Sequence, residues 1–253
     1  MLRTTTVLLA VSALTLASAC DDGGNAASDP TAALTAPLDG DRIAGPVDVE
    51  MAASGVAIVP AGEVTPGEGH FHVIADHDCL APGTAIGKDA DHVHFGTGAS
   101  TGTIYLEPGT HSLCLQVGDG EHVALSATDS IEIEVGISSE DEFCDVLADT
   151  DSLMTTLETS EEAWPVQQVG FENVRRLLTQ LAAGLDHVDE EARADVDELV
   201  HWATVIAETM AAGESAESAA DELWGPDGIL PADADLSRGE RWALDTCGVS
   251  VSE

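Results

Sequence analysis

The chain has 253 residues, 44% of them apolar, with 47 acidic residues against 8 basic ones and a formal net charge of -39 at pH 7. This composition excludes collagen, coiled-coil rods and multi-span membrane proteins, and it carries enough apolar residues to bury a core in one or two domains. So negative a chain repels phosphates, which removes nucleic acid and simple electrostatic membrane binding as partners.

Residues 1 to 19 read as an export signal: Arg3, an apolar run from Val7 to Leu16, then small residues. The run is about half the length of a membrane-spanning helix. Leu16-Ala17-Ser18-Ala19-Cys20 resembles the lipobox of bacterial lipoproteins, departing from it in Ala17. The resemblance implies that Cys20 is lipidated and becomes the mature N-terminus, which places the protein outside the cytoplasm, anchored to the cell membrane. Residues 20 to 35 lack large apolar side chains apart from Leu34 and read as a flexible tether. The acidity, with Lys88 as the single lysine, fits either a saline habitat or an ordinary solvated surface.

From residue 36 to 136 the chain is rich in glycine, valine and short alternating runs, punctuated by turn signals such as Pro82-Gly83, Pro108-Gly109 and Gly118-Asp119-Gly120. Strands are expected at Val47 to Ala52, His70 to Ala75, His92 to Phe95, Gly102 to Leu106, Ser112 to Val117 and Ser130 to Val135. The pattern predicts an all-β, immunoglobulin-like antiparallel sandwich. From residue 138 to 253 the pattern turns helical, and a separate all-α bundle is expected. Ser139 with Glu142 has capping-box spacing, as has Ser237 with Glu240. Amphipathic helices fit Val169 to Leu185 and Glu190 to Ala212, with a shorter one over Glu214 to Trp224.

With Cys20 lipidated, Cys79, Cys114, Cys144 and Cys247 remain, an even number for an oxidising compartment. Of the three connectivities, Cys79 with Cys114 and Cys144 with Cys247 keep each bridge within one segment. A thiolate metal site is the competing use, but the chain holds no CxxC pair. Asp233-Ala234-Asp235 begins like a calcium loop, then puts Gly239 and Leu244 where that loop needs other residues, and reads as a helix cap.

Seven of the nine histidines, His70, His72, His77, His92, His94, His111 and His122, fall between residues 70 and 122. His70-Phe71-His72 and His92-Val93-His94 each put two imidazoles on one face of a strand. Phe71, Val73 and Ala75, with Val93 and Phe95, take the opposite face, so the histidines are expected to point away from the core, toward solvent or a groove. Side by side, such strands would offer four neutral nitrogens to copper or zinc, with His111, His122 and Asp76 completing or tuning the site. A histidine-lined site for an organic or anionic ligand and a structural polar ladder are the other readings. His187 and His201 stand alone on the helical segment and read as surface or interface residues.

Gly67-Glu68-Gly69-His70-Phe71-His72, then His92-Val93-His94-Phe95-Gly96-Thr97-Gly98, Pro108-Gly109-Thr110-His111 and Gly118-Asp119-Gly120-Glu121-His122 follow one another in an order that resembles the Domain of Unknown Function 4399 family of exported bacterial proteins. The resemblance covers about residues 60 to 136 and maps His70, His72, His92, His94, His111 and His122 onto the recurring motifs. It implies the domain and no activity. The expected function is non-catalytic capture or delivery of copper or zinc by an anchored protein. The alternative is an envelope interaction module that binds a polymer or partner protein. Metal-assisted hydrolysis ranks third.

Overall fold

The structure is a computed structural model that describes residues 29–160, 162–224, 228–229 and 236–250. The export signal, Cys20, the first part of the tether and Asp233 to Asp235 lie outside the described residues. Nine strands are β1 (Thr31–Ala36), β2 (Arg42–Ile43), β3 (Val47–Ser54), β4 (Ala57–Ile58), β5 (Glu68–Ala75), β6 (His92–Phe95), β7 (Thr101–Ile104), β8 (Gly109–Gly118) and β9 (Ala124–Val135). Five helices follow: α1 (Glu140–Glu158), α2 (Trp164–Gly184), α3 (Arg193–Ala212), α4 (Ala216–Trp224) and α5 (Ser237–Trp242). β1 occupies residues that the sequence places at the end of the tether.

β1, β3 and β7 form a three-stranded sheet, while β2, β9, β8, β5 and β4 form a larger one to which β6 adds by pairing with β5. Alternation dictates the main core. Val47, Val49 and Met51 of β3 meet Phe71, Val73 and Ala75 of β5 and Leu113, Leu115 and Val117 of β8, all nearly or fully buried. Fully burying an aliphatic or aromatic side chain stabilises by about 1.5–3 kcal/mol.

The expected immunoglobulin-like sandwich does not form. The large sheet is curled and mixed: β2 runs parallel to β9 and β4 parallel to β5, while its other pairs are antiparallel. Nor is β5 half-solvated, as an outer sandwich face would be, because its residues from Gly69 to Ala75 are all buried. A second small core, Ile74, Ile86, Cys114 and Ala124 with Cys79 and Leu80 beside it, covers the face opposite the main core. The Cys79–Cys114 disulfide ties this roof to β8. Gln116 is fully buried and also joins roof to sheet: its Oε1 accepts from Leu80 N at 2.9 Å and its Nε2 donates to Leu125 O at 2.7 Å.

The helices are not a separate bundle either. α1, α2 and α3 run 19, 21 and 20 residues and enclose a core that includes Phe143, Val174, Leu177, Leu181 and Val200, but Ala44 and Tyr105 of the β half pack into it. Side chains that look like a solvated helix face instead serve the β half's backbone. Gln180 is fully buried; it accepts from Gly45 N and donates to Gly45 O and Leu106 O. Arg176 donates to Tyr105 O at 2.7 Å and to the Asp91 carboxylate at 2.8 Å, and Arg175 pairs with Glu107 and Glu172.

Ser139 caps α1 by accepting from Glu142 N, while the Glu142 carboxylate accepts from Ser138. The second capping box is not used in that form: α5 begins at Ser237 itself, with Leu236 at the cap position. A π-helical turn, Ala243–Cys247, carries the Cys144–Cys247 disulfide back to α1. Both bridges suit an oxidising compartment. No described helix is long and apolar enough to cross a membrane.

Candidate metal centre

Strand register decides which imidazoles meet. β5 and β6 pair antiparallel with His72 opposite His94 and Ile74 opposite His92. The two HxH runs are therefore offset by two residues, and only His94 faces the β5 pair. The fourth ring comes from the turn between β8 and β9. Asp119 organises that turn: its carboxylate accepts from Glu121 N and Val123 N, both at 2.9 Å. His122 is held on both sides, its N–H donating to Asp119 O at 3.0 Å and its carbonyl accepting from Ile86 N at 2.8 Å. It sits at φ 66°, a left-handed conformation that non-glycine residues seldom adopt without support from their surroundings.

His70, His72, His94 and His122 thus form one cluster, with ring centroids between 4.6 and 5.6 Å apart. His72 Nε2 lies 2.9 Å from His70 Nε2, and His122 Nε2 lies 3.1 Å from His94 Nε2. Each contact needs one N–H donor and one bare nitrogen. His70, His94 and His122 could hold a metal ion, since one ring nitrogen from each lies within 4.8 Å of the others. Two glycines make room for the rings. A Cβ on Gly96 would meet the His94 ring, with Cε1 at 2.0 Å, and one on Gly118 would stand 3.0 Å from His72 Nε2.

The cluster's electrostatics favour bare nitrogens. Burial first, and then the neighbouring His94 and His122, push the His70 pKa down to about 4. Burial, then His70, His94 and His122, push His72 down to about 3. His94 is lowered by burial, His122 and Lys88. Nδ1 of His70 and Nδ1 of His72 are buried with no hydrogen-bond partner among the described residues.

The other two expected ligands lie elsewhere. His92 bonds through Nδ1 to Asp89 at 2.8 Å and its ring stacks on His77 at 5.7 Å. Burial of the Asp89 carboxyl works against ionisation, but hydrogen bonds from His92 and the Asp91 backbone outweigh it and hold the pKa below the usual range. His111 spends both nitrogens on acceptors, Asp76 Oδ2 and Glu107 O, each at 2.8 Å, so neither is open to a metal. The expectation that the histidines point toward solvent or a groove is corrected for His70 and His72, which are fully buried because the roof closes over them, whereas His92 and His94 do line a groove. The sequence motifs contain Gly96, Gly118 and Asp119, but not the reason for them: the two glycines leave space for the His94 and His72 rings and Asp119 holds the turn that presents His122.

With this geometry in place, comparison with known proteins locates it. Residues 49–136 match a domain of unknown function (DUF4399). The DUF4399 stretch runs from β3 to the end of β9 and holds all four clustered histidines, while the helices lie outside it. No curated protein matches the chain. A solved structure, the endo-beta-1,4-mannanase from Thermotoga petrophila, is similar over 46% of this chain and 22% of its own, at 17% identity and a TM-score of 0.28. The similar region spans about a fifth of that protein's length, and so loose a superposition says nothing of activity here.

Proposed function

We propose that this protein is a lipid-anchored extracytoplasmic carrier that captures or delivers copper or zinc without catalysing a reaction. The convergence of His70, His94 and His122 nitrogens within 4.8 Å carries the reading. The depressed pKa values support it, because imidazoles that are already neutral need lose no charge-bearing proton before they ligate. The unpartnered Nδ1 atoms of His70 and His72 support it too, since a self-sufficient polar ladder would leave no buried ring nitrogen unpaired. Three imidazoles with His72 alongside suit either metal, and softer thiolate ligands play no part because the four cysteines of the described half-chains are in disulfides.

The test is calorimetric titration of copper and zinc into the purified protein and into His94→Ala and His122→Ala variants. These rings are only partly buried, so thermal melts of the metal-free variants establish that the fold is intact. Submicromolar one-to-one binding that both variants lose is the expected result. Weak binding that is equal in all three proteins would leave the histidines structural and favour the envelope interaction module.

A further inference from the structure

Beside the metal cluster, and sharing His94 with it, β6 and β7 form one side of an open groove whose other side is the end of α1 and the first half of α2. Its volume is about 720 Å³, within the usual range of small-molecule sites. The floor and walls are apolar: Val93 and Ile104 from the strands, Leu157, Val166 and Val169 from the helices. Val166 and Val169 stand one helical turn apart and are 55% and 47% exposed. Large apolar side chains left uncovered together, in so acidic a chain, mark a surface that something else covers.

The groove also holds an uncommitted cation. Lys88, the protein's single lysine, lines it and is exposed. Among the described residues neither it nor Arg241 has an ion-pair partner, whereas Arg42, Arg175, Arg176, Arg193 and Arg238 are paired. Its neighbour Asp89, also in the lining, spends its hydrogen bonds on the His92 ring and on the backbone N–H groups of Asp91 and His92 and makes no ion pair with Lys88. Glu162 is the other carboxylate of the lining; Tyr105 and Asn173 add polar groups.

We propose that this groove binds a small amphipathic carboxylate, its apolar body against Val93, Ile104, Leu157, Val166 and Val169 and its carboxylate on Lys88. An acid without an apolar body would leave the valines uncovered. An apolar molecule without a charge would leave the ammonium unanswered. The groove touches the metal triad at His94, so its test is run with a chelator present and reads the groove alone.

The single lysine makes the test direct. Reductive methylation with 13C-formaldehyde labels the Lys88 amine and keeps its charge, giving one side-chain signal in the intact protein. Octanoate is titrated in, and octanol serves as the uncharged control with the same body. A saturable shift of the Lys88 signal with octanoate, binding about tenfold weaker for octanol, and loss of octanoate binding in Val169→Asp are expected; tenfold is the size of one modest charge-assisted contact. Lys88→Gln, followed by calorimetry, loses the preference for octanoate over octanol. The proposal is overturned if the Lys88 signal does not saturate with millimolar octanoate, if octanol binds equally well, or if Val169→Asp binds octanoate unchanged.

Discussion

Gly96→Ala is the sharpest test of how the cluster is built, since it adds one methyl group and removes no ligand. The new Cβ would lie 2.0 Å from His94 Cε1 and 2.4 Å from His94 Nε2, against roughly 3.5–4.0 Å for an ordinary carbon contact. The ring must therefore move by about 1.5 Å. Its Nε2 then parts from His122 Nε2, now 3.1 Å away, and one of the three converging nitrogens leaves the site. Gly96 has no left-handed backbone to forfeit, so the cost is steric. Overpacking of this kind costs about 1–3 kcal/mol, a fall in Tm of about 2–4 °C for each kcal/mol in a chain of this size. Metal affinity should drop at least as far as for loss of a supporting group, about 10–100-fold. Calorimetry with copper and zinc reads the second effect and scanning calorimetry of the metal-free protein the first. Gly118→Ala, whose Cβ would stand 3.0 Å from His72 Nε2, should weaken metal binding less, because His72 lies outside the triad. A Gly96→Ala protein with wild-type melting and wild-type affinity would refute the placement of His94 against Gly96.

Gln180→Leu should destabilise the protein by about 2–4 kcal/mol in urea unfolding, because Gly45 N, Gly45 O and Leu106 O lose the side chain that satisfies them; an unchanged midpoint would remove Gln180 as the joint between the halves. Replacing Cys144 and Cys247 by serine frees a loop with a sequence separation of 103 and should cost up to about 4.7 kcal/mol on chain-entropy grounds, read as a lower unfolding midpoint in an oxidising buffer. The metal-free protein should lose stability on acidification from pH 6.5 toward about 4. His70 and His72 have folded-state values of about 4 and about 3, below the unfolded value, so the unfolded chain takes up protons first. Their contribution is complete above pH 6.5 and is lost as pH falls, at about 1.4 kcal/mol per pH unit for each ring. His70→Gln with His72→Gln should flatten that slope in denaturant titrations at successive pH values; an equal slope would count against neutral burial of the pair.

What the sequence revealed and what it hid divide along the range of the interactions. The HxH runs, the inward Phe71 and Val73 and the helix start at Ser139 follow from period and capping, which are local. The pairing of both disulfides followed from segment boundaries. β1 escaped notice because Thr31 to Ala36 offers small residues with no strong alternation; it becomes a strand by pairing with β3 and by Asp129 accepting from Leu34 N at 2.9 Å. The parallel pairs at β2 and β4 are two residues each, too short to have a sequence signature. Membership of the site was hidden for a related reason. Nothing local states that β6 pairs with β5 two residues out of step, which sends His92 to Asp89 and keeps His94 in the cluster. Nor does the sequence show that a turn 28 residues away from His94 supplies its partner His122.

The Cys144–Cys247 bridge has a mechanical consequence. Tension applied between the two ends of the described chain would enter α1 at Cys144 and leave through the sulfurs directly to Cys247, so the rest of α1 and α2 to α5 hang in a covalently closed loop that bears none of it. Only the parts of the β half outside the Cys79–Cys114 loop, which shields β6 and β7 in the same way, and the first turn of α1 would stretch under load. The helical half, with its wall of the groove, would remain folded at forces that peel the sheets apart, and a pulling experiment would see it join the extension only after reduction.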